Sequence, residues 1–103
     1  MDKYTRSAYR QDCTVRIPAV CNFNPETTVL AHLNGAGMGR KHASIHGAYC
    51  CSSCHNLLDG RSSLPDWLKR MPGDDAIREI KLMHLEGVIR TQELMIEQGL
   101  LKL

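Results

Sequence analysis

The feature that most constrains how this chain can fold is a set of five cysteines within 103 residues. They are Cys13, Cys21, Cys50, Cys51 and Cys54. A chain of this length forms one small domain, and only 5% of its residues are aromatic, so its core has few large anchors. Small domains with limited cores are commonly stabilised by a disulfide or a bound metal. The cysteines are the residues able to supply such a link.

The composition excludes several broad classes of protein. Hydrophobic residues make up 43% and charged residues 23% of the chain, which is typical of a globular domain and not of a disordered one. The polar N-terminus, residues 1–4, is not followed by the apolar segment of a signal peptide, and an odd cysteine count disfavours a secreted disulfide framework. We therefore predict a reducing, cytoplasmic location. No apolar run approaches the ~20 residues that cross a bilayer, so we expect no membrane insertion.

The charge distribution is more informative than the formal net charge of +2. Residues 1–73 contain nine Lys or Arg and five Asp or Glu, whereas residues 74–103 contain four basic and six acidic residues. The cysteine-bearing part is therefore the basic part. A basic surface of this kind favours a polyanionic partner such as nucleic acid.

The predicted elements are a hairpin followed by helices. Alternation over residues 13–17 predicts a first strand that ends at Pro18, and β-branched residues predict a second strand that ends at His32. A glycine-rich loop over residues 34–39 leads to a return strand over residues 44–49. Residues 52–58 then predict a short helix that Gly60 ends.

A long amphipathic helix is predicted from Asp74 or Asp75 to near Gly99. We expect its apolar face to pack over the hairpin, with a homodimer seam as the alternative. A histidine on this face, His84, is expected to be a core residue and not a ligand. The predicted stripe consists of Ile77, Ile80, His84, Val88, Thr91 and Met95, and it is broadened by Ala76, Met83 and Leu94.

The cysteine spacing predicts a structural zinc site. Cys51 and Cys54 form a Cys-x-x-Cys pair, which directs two thiolates at one ion from a turn that opens a helix, and Cys13 and Cys21 can supply a second pair. Four thiolates suit tetrahedral Zn²⁺ and disfavour Mg²⁺ or Ca²⁺, with an iron-sulfur centre as an alternative. A thioredoxin-type redox pair lacks its surrounding βαβ pattern. Cys50 is expected to face the core as a small hydrophobic residue.

A histidine and a carboxylate follow the Cys-x-x-Cys pair directly. His55 and Asp59 are four residues apart, which places them on the same face of the predicted helix. One imidazole and one carboxylate can hold a divalent cation while leaving positions for water and phosphate oxygens. A surface hydrogen bond between the two side chains is the alternative interpretation.

A strand-end histidine, a loop and a Cys-x-x-Cys-His sequence that opens a helix together resemble the HNH, or ββα-metal finger, nucleases. More specifically, the segment from Cys13 to His32 and the segment from Cys51 to Asp59 are similar to the YbcO-type nucleases of lambdoid prophages. The resemblance covers roughly residues 10–61 and implies a zinc-stapled ββα-metal finger there, whereas the C-terminal helix over residues 74–99 matches in character only. With the single domain expected from the chain length, we predict an α+β fold over residues 1–103.

The resemblance also implies roles for individual residues. His32 would be the general base of an endonuclease acting on DNA. His55, with Asp59, would hold Mg²⁺ or another divalent cation, and the four-cysteine zinc would be structural. The residues expected to contact nucleic acid are Arg40, Lys41, His42 and Arg61.

Two positions depart from the HNH pattern. Ala31 stands where many HNH enzymes have a metal-binding Asp or His, and His46 replaces an orienting Asn. His46 either orients His32 through a hydrogen bond or is an exposed strand residue. The alternative functions are a non-catalytic zinc-finger module that binds DNA or a phage or host recombination protein, and a dimeric scaffold.

Overall fold

The structure, a computed structural model, describes residues 1–33 and 43–102. It is an α+β arrangement in which a two-stranded hairpin is followed by a short helix and a long C-terminal helix, as expected. The helices are α1 (Lys3–Ser7), α2 (Ser52–Leu58), α3 (Asp66–Lys69) and α4 (Asp75–Glu97), the strands are β1 (Val29–His32) and β2 (Gly47–Cys50), and 3-10 turns form at Pro25–Thr27 and Ser44–His46. No helix among the described residues has the length and apolar character needed to cross a membrane.

The hairpin pairs β1 with β2 in antiparallel register, with Val29 opposite Cys50 and His32 opposite Gly47. The predicted strand end at His32 is confirmed. The return strand begins later than predicted, at Gly47, because residues 44–46 form a 3-10 turn. Gly47 has room for no larger residue, since a Cβ atom there would lie 2.6 Å from Cγ of Leu30.

Helix α2 has the predicted bounds, and its caps explain why. The backbone N–H of Cys54 points at the sulfur of the N-cap residue Cys51, at 3.4 Å. At the other end, Gly60 adopts a positive φ of 72°, a conformation that glycine reaches without steric cost. This arrangement ends the helix at Leu58, just before the C-cap residue Asp59, and fixes the side of α2 on which His55 and Asp59 lie.

The predicted strand over residues 13–17 is wrong. Thr14 and Val15 form a bend, and Arg16 has a φ of 50°, which is incompatible with an extended strand. The alternation nevertheless marks burial correctly, because Cys13, Val15 and Ile17 are all in the core. The segment turns so that the backbone N–H of Arg16 faces the sulfur of Cys13, at 3.5 Å. The segment therefore forms a turn around Cys13 and not the strand that its alternating pattern predicts.

The outer edge of β2 is closed by two threonines, Thr14 and Thr91. The backbone N–H of Tyr49 donates to Oγ1 of Thr91 at 2.9 Å, and its carbonyl oxygen accepts from the backbone N–H and the hydroxyl of Thr14 at 2.8 and 2.9 Å. Thr14 and Thr91 are fully buried. Polar groups at this edge are thus satisfied within the core, as buried backbone requires.

Helix α4 packs against β2 through a face that differs in part from the predicted stripe. Gly87, which the prediction omitted, approaches so closely that a Cβ atom would lie 2.9 Å from Cγ2 of Val15. Ile77 is 55% exposed, so its predicted place in the core is wrong. The small size of Gly87 permits this close approach, which a larger residue on the contact face would prevent. The buried residues of α4 are Ala76, Met83, His84, Gly87, Val88, Thr91 and Met95.

Candidate functional site

Four cysteine sulfurs form a compact group. The Sγ atoms of Cys13, Cys21, Cys51 and Cys54 all lie within 4.8 Å of one another, and those of Cys21 and Cys51 are 3.8 Å apart. In a tetrahedral site with Zn–S bonds of ~2.3 Å, neighbouring sulfurs are ~3.8 Å apart. The donor set and its spacing fit a zinc ion, and the predicted grouping of these four cysteines is confirmed.

Backbone turns supply N–H groups to these sulfurs. Arg16 directs its N–H to Cys13, and Cys54 directs its N–H to Cys51. At Cys21, burial raises the thiol pKa and the N–H of Phe23, a residue with a φ of 54°, offsets part of that rise. Such donors stabilise thiolates. The sequence carried no signal for the left-handed conformations of Arg16 and Phe23, since neither residue is glycine or asparagine.

The electrostatics of the cysteine cluster favour a bound cation. The thiols of Cys50 and Cys54 donate to Cys13, which holds the pKa of Cys13 well below its ordinary value. The same contacts raise the pKa of Cys50 and of Cys54, while burial raises the pKa of Cys21 to about 11. The thiols of Cys21 and Cys54, whose pKa is raised, would become thiolates beside Cys13 only where a positive ion compensates the charge.

Cys50 lies beside the cluster without belonging to the group of four. Its side chain is fully buried in the larger core cluster, next to Cys13 and Cys54. The metal-ligand geometry found for the other four sulfurs does not include it. This placement agrees with the expectation that Cys50 is a core residue.

His55 and Asp59 lie together on α2, as their spacing predicted. Nε2 of His55 is 3.4 Å from Oδ2 of Asp59, and about one third of each side chain is exposed. The same carboxylate oxygen lies 3.6 Å from the guanidinium of Arg61, whose side chain is 69% exposed. The pair offers one nitrogen and one carboxylate at a solvent-accessible position. A divalent cation bound by these two groups would keep other coordination positions open.

His32 lies at the end of β1 in a hydrogen-bonded chain that the sequence analysis missed. Its Nε2 atom is 3.2 Å from Oγ of Ser44, and that hydroxyl donates to Oδ2 of Asp2 at 2.5 Å. A hydroxyl has one proton, so Ser44 accepts from the Nε2–H of His32. The Nδ1 atom of His32 then carries the lone pair. The hydrogen bond from Ser44, followed by that from Thr5, lowers the pKa of Asp2 to about 2.

His84 is a core residue, as expected. Only 6% of its surface is exposed, and Nε2 lies 2.9 Å from the carbonyl oxygen of Ala31. Burial lowers its pKa. A carbonyl oxygen accepts only, so Nε2 is the protonated nitrogen and the ring is held as one neutral tautomer.

The remaining predicted positions are less defined by the structure. His46 is half-buried in the 3-10 turn before β2, and its role toward His32 stays a prediction. Arg40, Lys41 and His42 lie outside the described residues. Among the described residues, no hydrogen bond or ion pair joins His32 to the His55–Asp59 pair. His32 ends β1 opposite Gly47, whereas α2 begins two residues after Cys50, at the other end of β2.

Known proteins resemble this chain over nearly its whole length. A curated protein of Escherichia coli strain K12, "Putative nuclease YbcO", is 36% identical over 100 residues, which cover 94% of each chain. A protein of Enterobacteria phage 82, "Putative nuclease ybcO", matches with the same identity and coverage. A solved structure, described as that of a putative bacteriophage protein from Escherichia coli K-12, superposes with a TM-score of 0.68 at 35% identity. It covers 92% of this chain and 98% of the other.

A protein-family model agrees with these relatives. The model described as "Putative nuclease YbcO" matches residues 2–100, and so includes both the cysteine cluster and helix α4. The resemblance of the sequence motifs to this family covers only residues 10–61 in detail. With a family match over almost the entire chain and relatives above one third identity, this protein belongs to the YbcO family.

Proposed function

We propose that this protein is a metal-dependent DNA endonuclease of the HNH type, in which His32 is the general base. His55 and Asp59 hold Mg²⁺ or another divalent cation, and the four-cysteine zinc site is structural. The observation that carries the proposal is the placement of the His32 imidazole at the end of β1, with its Nε2–H donated to Ser44. The His55–Asp59 pair lies on the helix that directly follows β2, in the order of a ββα-metal finger.

The hydrogen bond of His32 specifies which nitrogen acts. Because Nε2–H is donated to Ser44, Nδ1 is the atom that accepts a proton. A water molecule that attacks the phosphorus atom gives its proton to Nδ1, a P–O bond forms, and the bond from phosphorus to the 3′ oxygen breaks. An imidazole suits this task because its pKa lies near neutral pH.

The second group of residues acts on the phosphate. A divalent cation held by His55 and Asp59 would supply charge neutralisation at the phosphate and stabilisation of the leaving oxygen. Arg61 contacts Asp59 in this structure and is exposed enough to reach a phosphate instead. Ala31 provides no side-chain ligand, so the ion has fewer protein ligands than in many HNH enzymes.

The cysteine cluster holds these parts in register. Cys51 caps α2, the helix that bears His55 and Asp59, while Cys13 and Cys21 come from the segment before β1. These four cysteines would hold a zinc ion, whose bonds to their sulfurs would link the two segments. The proposed role of zinc is therefore structural support of the nuclease site.

The oligomeric state and the protein partners stay predictions. Helix α4 leaves Leu82, Leu85 and Ile89 about half exposed, so a homodimer through this helix is the alternative to a monomer. The expected location is the cytoplasm, where thiols stay reduced. Phage or host recombination proteins are the expected class of protein partner.

Plasmid nicking tests the proposed function. The native protein, with zinc measured, is compared with His32→Ala in the presence of Mg²⁺ or Mn²⁺. We expect His32→Ala to reduce cleavage at least a hundredfold while retaining its zinc, since general-base catalysis contributes ~10²–10⁴-fold. Equal cleavage by both proteins would refute the role of His32. No cleavage by either protein across divalent cations, with DNA still bound, would favour the non-catalytic zinc-finger module.

A further inference from the structure

An apolar cavity of about 480 Å³ lies beside the proposed nuclease site, between the end of α2, the segment that follows it and the first half of α4. Its walls are mainly aliphatic, with Leu58 and Leu64 on one side and Ile77 and Ile80 on the other. Cavities that bind small organic ligands have volumes of ~300–1,000 Å³ and walls of this character. None of the functions proposed above uses this space.

The cavity adjoins both parts of the proposed site. Leu58 and Gly60, which line it, are the two chain neighbours of Asp59, and Leu33, which also lines it, follows His32. A nucleotide whose phosphate lies at the His55–Asp59 pair therefore has its base within reach of the cavity.

Three polar side chains line the otherwise apolar space, namely Ser62, Lys81 and His84. Since His84 donates its Nε2–H to Ala31, its Nδ1 atom is a hydrogen-bond acceptor. No hydrogen bond to Nδ1 is found in the described part of the chain. The cavity thus offers apolar walls, an acceptor at His84, a hydroxyl at Ser62 and a cationic donor at Lys81.

We propose that this cavity binds one unpaired nucleobase of a DNA substrate, an inference that rests on the proposed nuclease function and narrows its substrate class. A nucleobase has two apolar faces and an edge of N–H donors and oxygen or nitrogen acceptors. Its faces match the aliphatic walls, and its exocyclic amino group matches the acceptor of His84. A purely aliphatic ligand would leave the polar groups of the cavity without partners, which is unfavourable.

The substrate class follows from the cost of reaching the cavity. A base inside an intact duplex is stacked and paired, so it must be extruded before it can enter, whereas a mismatched, bulged or single-stranded base is already accessible. The protein should therefore prefer DNA that contains an unpaired position. Removing about 60 Å² of the apolar faces of a base from water against these aliphatic walls contributes about tenfold in affinity.

The first experiment locates the ligand without any cleavage. The zinc-loaded protein, labelled with ¹⁵N, is titrated with dAMP and, in parallel, with deoxyribose 5-phosphate, which lacks the base. We expect dAMP alone to shift the amide signals of Gly60, Ser62 and Lys81. Equal shifts with both compounds, or shifts by dAMP confined to other segments, would overturn the proposal.

The second experiment measures affinity with two matched duplexes, one with an unpaired adenine and one with an abasic site in its place. Without added divalent cation, the native protein should bind the first about tenfold more tightly, from burial of the apolar faces of the base. Leu85→Ser, at the cavity wall, should reduce this ratio severalfold. Leu82→Ser is the matched control, because Leu82 is similarly exposed, at 49% against 47%, and does not line the cavity.

The outcomes separate this proposal from the nuclease function. If His32-dependent cleavage is present but the native protein binds both duplexes equally, only the base-binding cavity is wrong. If base-dependent binding is present but His32-dependent cleavage is absent, only the nuclease function is wrong. If Leu85→Ser changes the mass of the protein in solution and leaves the binding ratio unchanged, the cavity is part of an interface between copies of this chain, and the base-binding proposal is overturned.

Discussion

The imidazole of His84 donates from Nε2 to the carbonyl oxygen of Ala31 across 2.9 Å. This bond joins α4 to β1 at the residue that precedes the proposed general base, His32. A buried imidazole that donates to a backbone carbonyl has one tautomer and one orientation. The C-terminal helix therefore positions the end of β1 in addition to covering the hairpin.

The burial of His84 predicts a stability change with pH. Because the folded state lowers the pKa of His84, the unfolded chain takes up a proton first as pH falls below ~6.5. Its contribution to the free energy of unfolding is thus complete above pH ~6.5 and declines below it, by at most ~1.4 kcal/mol per pH unit. Denaturant unfolding of the native protein and His84→Gln, both with saturating zinc, should show a shallower decline in the variant. Identical slopes would contradict this role.

Zinc binding should depend on four cysteines and not on the fifth. We expect Cys13→Ser and Cys54→Ser to lose stoichiometric zinc and to unfold readily, since structural zinc sites supply ~10–16 kcal/mol of apparent binding free energy. Cys50→Ala should keep one zinc per chain and lose only ~1 kcal/mol of stability. Metal analysis by mass spectrometry, together with thermal unfolding, measures both effects.

The cysteine variants also test the alternatives. Loss of zinc from Cys50→Ala, with Cys13→Ser unaffected, would exchange the assignments of these two residues. Iron in place of zinc in protein purified without added metal would favour the iron-sulfur alternative.

Ser44 should act as a positioning residue for His32. Ser44→Ala removes the acceptor for Nε2–H, so we expect kcat for DNA cleavage to fall by on the order of tenfold to hundredfold with zinc content and KM unchanged. The readout specific to positioning is the tautomer of His32, measured by ¹⁵N chemical shifts. The native protein should show Nε2–H, and Ser44→Ala a mixture of tautomers. The exposed Ser63→Ala is the control, and an unchanged tautomer in Ser44→Ala would refute the assignment.

The His55–Asp59 pair predicts a defined metal dependence. Asp59→Asn removes a charged oxygen ligand, so the Mg²⁺ or Mn²⁺ concentration for half-maximal cleavage should rise by roughly tenfold or more. Arg61→Ala keeps the carboxylate of Asp59 and its contact with His55, and should not raise this requirement. It should instead reduce the salt dependence of DNA binding by about one unit in the log–log slope. Similar metal titrations for Asp59→Asn and the native protein would indicate that the pair is only a surface contact.

The closed edge of β2 predicts a stability effect at Thr91. Thr91→Val keeps the shape of the side chain but leaves the N–H of Tyr49 without its partner, which should cost ~1–3 kcal/mol in the free energy of unfolding. Thr91→Ser retains the hydroxyl and should cost less. Denaturant unfolding of the two variants gives the comparison, and a greater loss in Thr91→Ser would show that the methyl group matters more than the hydrogen bond.

Much of the local structure could be predicted from the sequence. The bounds of α2 follow from a cap at Cys51 and a left-handed glycine at Gly60, both of which act within a few residues. The strand end at His32 and the span of α4 follow in the same way from side-chain pattern and helix-capping residues. The prediction failed over residues 13–17, where the turn around Cys13 depends on sulfurs that lie far along the chain.

The candidate site likewise contains parts that could be predicted from local sequence and parts that could not. The grouping of four cysteines and the His55–Asp59 pair could be predicted, because thiolate chemistry and helical spacing are properties of the residues themselves. The chain from Asp2 through Ser44 to His32 could not, since Asp2 and Ser44 are 42 residues apart. Asp2 also serves as the N-cap of α1, which is the only role its local sequence indicates.

The sequence by itself determined the donor set of the metal centre, the family and the order of the hairpin and helices. The tertiary structure decided which face of α4 is buried, which nitrogen of His32 is free and where the cavity beside Asp59 lies. These last features depend on contacts between distant segments, such as Gly87 against Val15 and Thr14 against Thr91. Spacing along the chain specifies what a residue can bind, whereas packing specifies which atom it presents.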